Sequence, residues 1–164
     1  MPAKTPDYLA LLQALHDHGV EFIVVGGVCA ALHGAPVTTF DLDVVHARTP
    51  ENVERLLAVL KALNATSRSH PGRQVTPDRS HLESPGHQLL STTYGPLDLL
   101  GSVGSGRGFD ELASRSTEVR LAPNLTVRLL SLEALIELKE EVGHEKDLAT
   151  LPILRRTLQE KDKS

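Results

Sequence analysis

Glu21-Phe22-Ile23-Val24-Val25-Gly26-Gly27, then Val28-Cys29-Ala30-Ala31-Leu32-His33, then Asp41-Leu42-Asp43-Val44-Val45-His46: these three pieces, in this order, decide the architecture. The first is a short apolar run rich in β-branched residues, which predicts a strand. Gly26-Gly27 breaks it. Val28 to His33 reads as a helix, stopped by Gly34-Ala35-Pro36. The third piece reads as a second strand. Alternate side chains of a strand share a face, so Asp41 and Asp43 stand side by side while Leu42 points to the core. Two neighbouring carboxylates repel, and burying both raises a pKa unless a cation intervenes. Oxygen-only ligation by Asp suits Mg2+, or Mn2+, better than zinc. An Asp-x-Asp pair alone equally describes a solvated strand end.

Two further features raise the metal reading. Pro96-Leu97-Asp98-Leu99-Leu100 puts a third carboxylate inside an apolar strand, where a charge is costly unless it is paired or metal-bound. If that strand lies beside Asp41–His46, three carboxylates converge. Upstream, a Gly-Gly turn leading into a helix lets a phosphate approach the backbone and meet free N–H groups. A Gly pair is also an ordinary tight turn.

The remaining elements work outward from this center. Thr5-Pro6 reads as a capped helix start, with Tyr8, Leu11, Leu12 and Leu15 as its buried stripe and Gly19 as its end. Thr49-Pro50-Glu51-Asn52 opens another helix, buried through Val53, Leu56, Leu57 and Leu60. Asn64 to Gly86 is polar and reads as mostly loop with room for a short edge strand; its Arg68, Arg73 and Arg79 could form a basic patch for RNA, but scattered in a polar loop they read as solubilising charges. His87–Tyr94 and Leu97–Leu100 read as strands, Gly101–Gly108 as a mobile loop, and Phe109–Arg115 as a short helix. In that loop Arg107 has the reach to sweep over a substrate, but the following Lys-Ser/Thr of a nucleotide loop is missing. Thr117–Leu121 and Leu125–Leu129 read as strands, and Ser131 caps a helix to about Val142. Glu145–Leu158 reads as a last helix, kinked or interrupted near Pro152, with fraying from Lys161 to Ser164.

The fold class expected is therefore α/β (α+β): a small mixed sheet flanked by helices, with a C-terminal helical pair closing one side of a cleft. One domain spans 1–164, with the metal site in 1–100 and loop, hairpin and helices in 101–164. The 164 residues are 40% hydrophobic but only 3% aromatic, so the core must be Leu, Val, Ile and Ala. The net charge of −4 disfavours a sequence-independent nucleic-acid binder and any attraction to an anionic membrane. A lone cysteine, Cys29, excludes an intramolecular disulfide, in keeping with the cytoplasm. Met1 to Asp17 lacks a signal-peptide apolar run, no segment has the length of a bilayer span, and the eight histidines show no zinc spacing.

The stretch from Val24 through Gly26-Gly27 to Gly34, followed by Thr39-Phe40-Asp41-Leu42-Asp43-Val44, resembles the minimal nucleotidyltransferases of the polymerase-beta-like superfamily. It looks closest to their abortive-infection and toxin–antitoxin branch. Lys139 and the later Gly143-His144-Glu145-Lys146-Asp147-Leu148 also resemble the closing helices of that branch. The resemblance implies a nucleotidyl transfer from a nucleoside triphosphate, ATP among them, to the hydroxyl of tRNA, a protein or a small molecule such as an aminoglycoside. It implies Mg2+ or Mn2+ on Asp41, Asp43 and Asp98, with Asp98 also activating the hydroxyl. Gly26, Gly27, Thr39, Lys139 and Lys146 would bind nucleotide, and a cognate antitoxin is an implied partner. Gly27 stands where many active relatives have Ser, and Val37 where relatives often have Arg. Those departures favour the alternative: a catalytically weak member that binds nucleotide or a partner.

Overall fold

The structure, a computed structural model, describes residues 5–163; expectations for residues 1–4 and 164 lie outside the described residues. Strand β1 (Phe22–Val25) is buried at every position and lies inside the sheet. It pairs antiparallel with β2 (Leu42–His46) and parallel with β7 (Leu125–Leu130). The full order is β3-β4-β5-β2-β1-β7-β6, a mixed seven-stranded sheet, with β3 at Thr66–Ser67, β4 at His87–Thr92, β5 at Gly95–Leu100 and β6 at Ser116–Ala122. An apolar core of Leu, Val, Ile and Ala packs against it, as the scarcity of aromatics requires.

The helices are α1 (Tyr8–Asp17), α2 (Gly26–Leu32), α3 (Pro50–Ala62), α4 (Arg79–Glu83), α5 (Phe109–Ala113), α6 (Leu132–Val142) and α7 (Glu145–Asp162). Thr49 and Ser131 cap α3 and α6 as their sequences predict. The buried Asn52 of α3 has every polar atom engaged. Its Oδ1 accepts from the Glu21 N–H at 2.7 Å, and its Nδ2 donates to the Glu21 and Ala47 carbonyls at 3.1 and 2.7 Å. It ties the start of β1 to the end of β2, which sets the pair that carries Asp43.

Several boundaries differ from the sequence reading. Asp7, not Thr5, caps α1: its carboxylate accepts from Ala10 N–H, and its own N–H is held by the Tyr94 carbonyl. α2 starts at Gly26, a half-turn before Val28, because Gly26 takes a φ of 69° and turns the strand straight into a helix. The 64–86 stretch holds both the edge strand β3 and a helix, α4, secured by a reciprocal Asp78–His81 cap and the buried Leu82. α7 runs unbroken past Pro152, since Leu151, Leu154 and Thr157 are buried on either side of it; it extends to Asp162, so the fraying expected from Lys161 is not seen up to that residue. The 101–108 loop is pinned rather than free. Val103 and Arg107 form a bridge, and the Ser105 N–H and Arg107 guanidinium both bond Glu141 of α6. Arg107 is thus committed to α6 and does not sweep over a substrate.

Candidate active site

β2 and β5 run parallel, and their register sets Asp43 directly beside Asp98. Asp43 in turn faces Val25, the last residue of β1 before Gly26. Asp41 precedes β2 by one residue and shares Asp43's face. One oxygen from each of Asp41, Asp43 and Asp98 lies within 4.8 Å of the others. The convergence that the sequence made conditional on strand order is therefore present. Burial, then hydrogen bonding and charge from Asp98, then the charge of Asp41, push Asp43 up to about 8, while Lys139 pulls the other way. Asp41 is raised too, first by burial and then by Asp98, and is partly relieved by Arg68 and Lys146.

Gly26 closes against this cluster. A Cβ on Gly26 would sit 2.1 Å from Asp43 Oδ2, so only glycine allows β1 and β2 to come this close at the carboxylate. Gly27 is next to Thr39: a Cβ there would lie 2.7 Å from the Thr39 methyl. Thr39 is itself held, its carbonyl accepting from the Tyr8 hydroxyl at 2.9 Å. The space a serine at 27 would need is already filled. Gly27→Ser should cost about 1–2 kcal/mol in stability through overpacking. Thr39→Ser in the same chain removes the methyl and should restore most of the loss in a thermal melt.

Lys139 comes to the same place from α6. Its Nζ lies 3.1 Å from Asp147 Oδ1 on α7, both half-buried. Lys139 and Asp147 line a cavity of about 170 Å3 with Gly26, Asp43, Leu135 and Leu138. Lys146 is exposed, with its charge felt at Asp41. His33 is turned away from the carboxylates, its Nε2 against the Leu130 carbonyl at 2.8 Å and its Nδ1 against Lys161. A cavity of about 630 Å3 between α3 and residues 74–77 contains none of these carboxylates; chemistry, not volume, locates the site.

The residue that sequence reasoning missed is Arg68. Read as a solubilising charge, it reaches the cluster instead: Nη2 is 2.7 Å from Asp98 Oδ1 and 3.6 Å from Asp41 Oδ2. The available signal was its place just after the edge strand. The Arg68 N–H bonds the Leu89 carbonyl, and Leu89 is registered with Asp98.

Three carboxylates on neighbouring strands, with a glycine turn at their lip, invite comparison with known folds. No family model matches the sequence, and no curated protein matches it. Among solved structures, this one is similar to the lincosamide antibiotic adenylyltransferase LnuA bound to lincomycin, with a TM-score of 0.61 and 14% identity over 90% of this chain and 94% of that one. It is similar to ANT(2'')-Ia in complex with adenylyl-2''-tobramycin, with a TM-score of 0.59 and 15% identity over 92% and 87%. The fold is that of the nucleotidyltransferases. A protein from Thermotoga maritima assigned as a nucleotidyltransferase aligns at a TM-score of 0.57 and 18% identity, covering 93% of both chains. On this nucleotidyltransferase fold the acidic cluster is an all-oxygen donor set. Burial first, and then the neighbouring charges, raises the carboxyls of Asp41 and Asp43; a hard divalent cation would offset that cost, so these residues fit such an ion. No helix among the described residues is long and apolar enough to cross a membrane.

Proposed function

We propose that the protein is a metal-dependent nucleotidyltransferase, moving a nucleoside monophosphate from a nucleoside triphosphate to an acceptor hydroxyl. The observation that carries this reading is the convergence of Asp41, Asp43 and Asp98 on adjacent strands, with Gly26 against Asp43. Asp41, Asp43 and Asp98 would hold Mg2+ or Mn2+, which supplies charge stabilisation at the attacking and leaving oxygens. Asp98 takes the proton of the acceptor hydroxyl as its oxygen bonds the α-phosphorus. The bond from that phosphorus to the pyrophosphate oxygen breaks, and pyrophosphate leaves with the electron pair. Gly26, Gly27 and Thr39 border the triphosphate, and Lys139 and Lys146 offset its charge.

The similarity to the lincomycin-bound adenylyltransferase LnuA and to ANT(2'')-Ia in complex with adenylyl-2''-tobramycin supports ATP as donor and a small-molecule hydroxyl as acceptor. tRNA and a protein side chain are the other acceptors of the right chemistry. The chain would act as one domain, in the cytoplasm. Gly27 beneath the Thr39 methyl favours a second reading, a weakly catalytic nucleotide- or partner-binding member paired with an antitoxin.

The test is incubation with each of four labelled nucleoside triphosphates and Mg2+, offered cell extract, lincosamides and aminoglycosides in turn. A labelled product that disappears in Asp41→Ala supports transfer. Nucleotide binding without product supports the second reading, and label that persists in Asp41→Ala sinks the first.

A further inference from the structure

The acidic cluster already has a cation of its own. Arg68 bonds Asp98 through one nitrogen, Nη2 to Oδ1 at 2.7 Å, and the same nitrogen lies 3.6 Å from Asp41. Its other terminal nitrogen, Nη1, is spent on the Leu90 carbonyl. The two-pronged clasp that makes an Arg–carboxylate pair strong and permanent is therefore absent. The guanidinium is partly open to water at 28% exposure, while Asp98 beneath it is only 10% exposed. Its anchorage is slight: β3 has two residues at the sheet edge, and Arg68 lies just beyond it on a hydrogen bond to Leu89. A side chain that meets the carboxylates through a single nitrogen, from an edge, next to solvent, is one that can leave them while Nη1 keeps its carbonyl.

What it holds is what a divalent ion would take. Asp98 and Asp41 offer the oxygens that, with Asp43, cluster within 4.8 Å, and a carboxylate oxygen committed to a guanidinium is weakened as a ligand. A positive charge beside the cluster also repels an incoming dication, at a separation where charges interact strongly even near a protein surface. Without any counter-ion, three carboxylates this close would drive one another apart or take up protons.

We propose that Arg68 is an exchangeable counter-ion of the metal site: it holds Asp98 and Asp41 together and competes with the divalent ion for them, leaving Asp98 when the ion binds. This rests on the metal-site reading above. Arg68 is thus a positioning residue whose loss should tighten metal binding, whereas loss of a permanent structural pair would weaken it or leave it unchanged.

The experiment measures Mn2+ binding by electron paramagnetic resonance at low salt, without nucleotide, in wild type, Arg68→Met, Arg68→Lys and Asp43→Asn. Arg68→Met is expected to bind Mn2+ about tenfold tighter than wild type. Arg68→Lys, which keeps the charge, is expected to stay near wild type, and Asp43→Asn to lose binding. Equal or weaker binding by Arg68→Met, with Asp43→Asn still defective, overturns the counter-ion role and leaves the metal site standing. Binding that is absent throughout, or indifferent to Asp43→Asn, overturns both. The unaltered protein gives a second readout that does not depend on a variant folding. The Arg68 Nε–H resonance is expected to shift and exchange faster with water as Mg2+ saturates the site; a resonance unmoved at saturation overturns the proposal.

Discussion

Replacing Asp43 with Asn should raise the melting temperature in metal-free buffer at pH 8 and, under the proposed function, cut nucleotidyl transfer sharply. The two effects have one cause. Burial and the neighbouring Asp98 and Asp41 hold the Asp43 carboxyl up to about 8 against an ordinary 3.8. The folded protein therefore binds this proton more tightly than the unfolded chain does. Stability from that proton is fully present below about pH 4 and is lost progressively as pH rises toward 8. Asn cannot ionise and loses nothing over the same window. Each tenfold difference in proton affinity corresponds to about 1.4 kcal/mol, and about 1 kcal/mol moves the melting temperature of a domain this size by roughly 2–4 °C. The variant's advantage should be small at pH 5 and should widen to several degrees at pH 8. Saturating Mg2+ should erase it by stabilising wild type alone. Under the proposed function, transfer should fall by about a thousandfold or more, because a charge that would anchor the catalytic ion is worth several kcal/mol in the transition state. A variant that melts below wild type at pH 8 in chelator, or an advantage that does not change with pH, would contradict the repulsion argument.

The same residues mark how far the sequence could be read. Alternation along β2 placed Asp41 and Asp43 on one face, and a lone charge in Pro96–Leu100 singled out Asp98, because both signals are local. Their convergence was not local. It depends on β5 lying parallel beside β2 in a register that sets residue 98 against residue 43, and strand order in a mixed sheet is decided by long-range packing. Arg68 was misread for the same reason. In a polar stretch its neighbours along the chain say solvent, and only its neighbours across β4 say carboxylate. Thr39 and Lys139 were picked out by resemblance alone, and the structure adds what each touches: the face of Gly27 and the carboxylate of Asp147. Pro152 shows the opposite failure. A reliable local rule predicted a kink or an interruption; the helix is not interrupted, and Leu151 and Leu154 are buried on it around the proline.

Gly26→Ala should be the most damaging single methyl that can be added to the site. Two separate penalties meet there. The backbone φ of 69° lies in the left-handed region, where a side chain costs roughly 1–2 kcal/mol. The new Cβ would also stand 2.1 Å from Asp43 Oδ2 and 2.9 Å from its Cγ. Asp43 has little room to yield, since Asp98 lies beside it in the sheet and Asp41 shares its face. We expect a loss of about 3–5 kcal/mol in total, the strain and overpacking together, along with loss of metal binding as the carboxylate is displaced. Gly34→Ala separates the penalties, because Gly34 has a φ of 97° but nothing within 4 Å of its would-be Cβ. It should show the backbone penalty only. Asp43→Ala in the Gly26→Ala background removes Oδ2 and Cγ, leaving the Asp43 Cβ at 3.0 Å as the nearest of the contacts. Stability should then recover by about 2 kcal/mol relative to additivity, although metal binding should not return. Strict additivity of the two substitutions in a denaturant titration would mean that Gly26 is needed for its backbone alone, and that the close approach of the glycine turn to the Asp43 carboxylate plays no part in building the site.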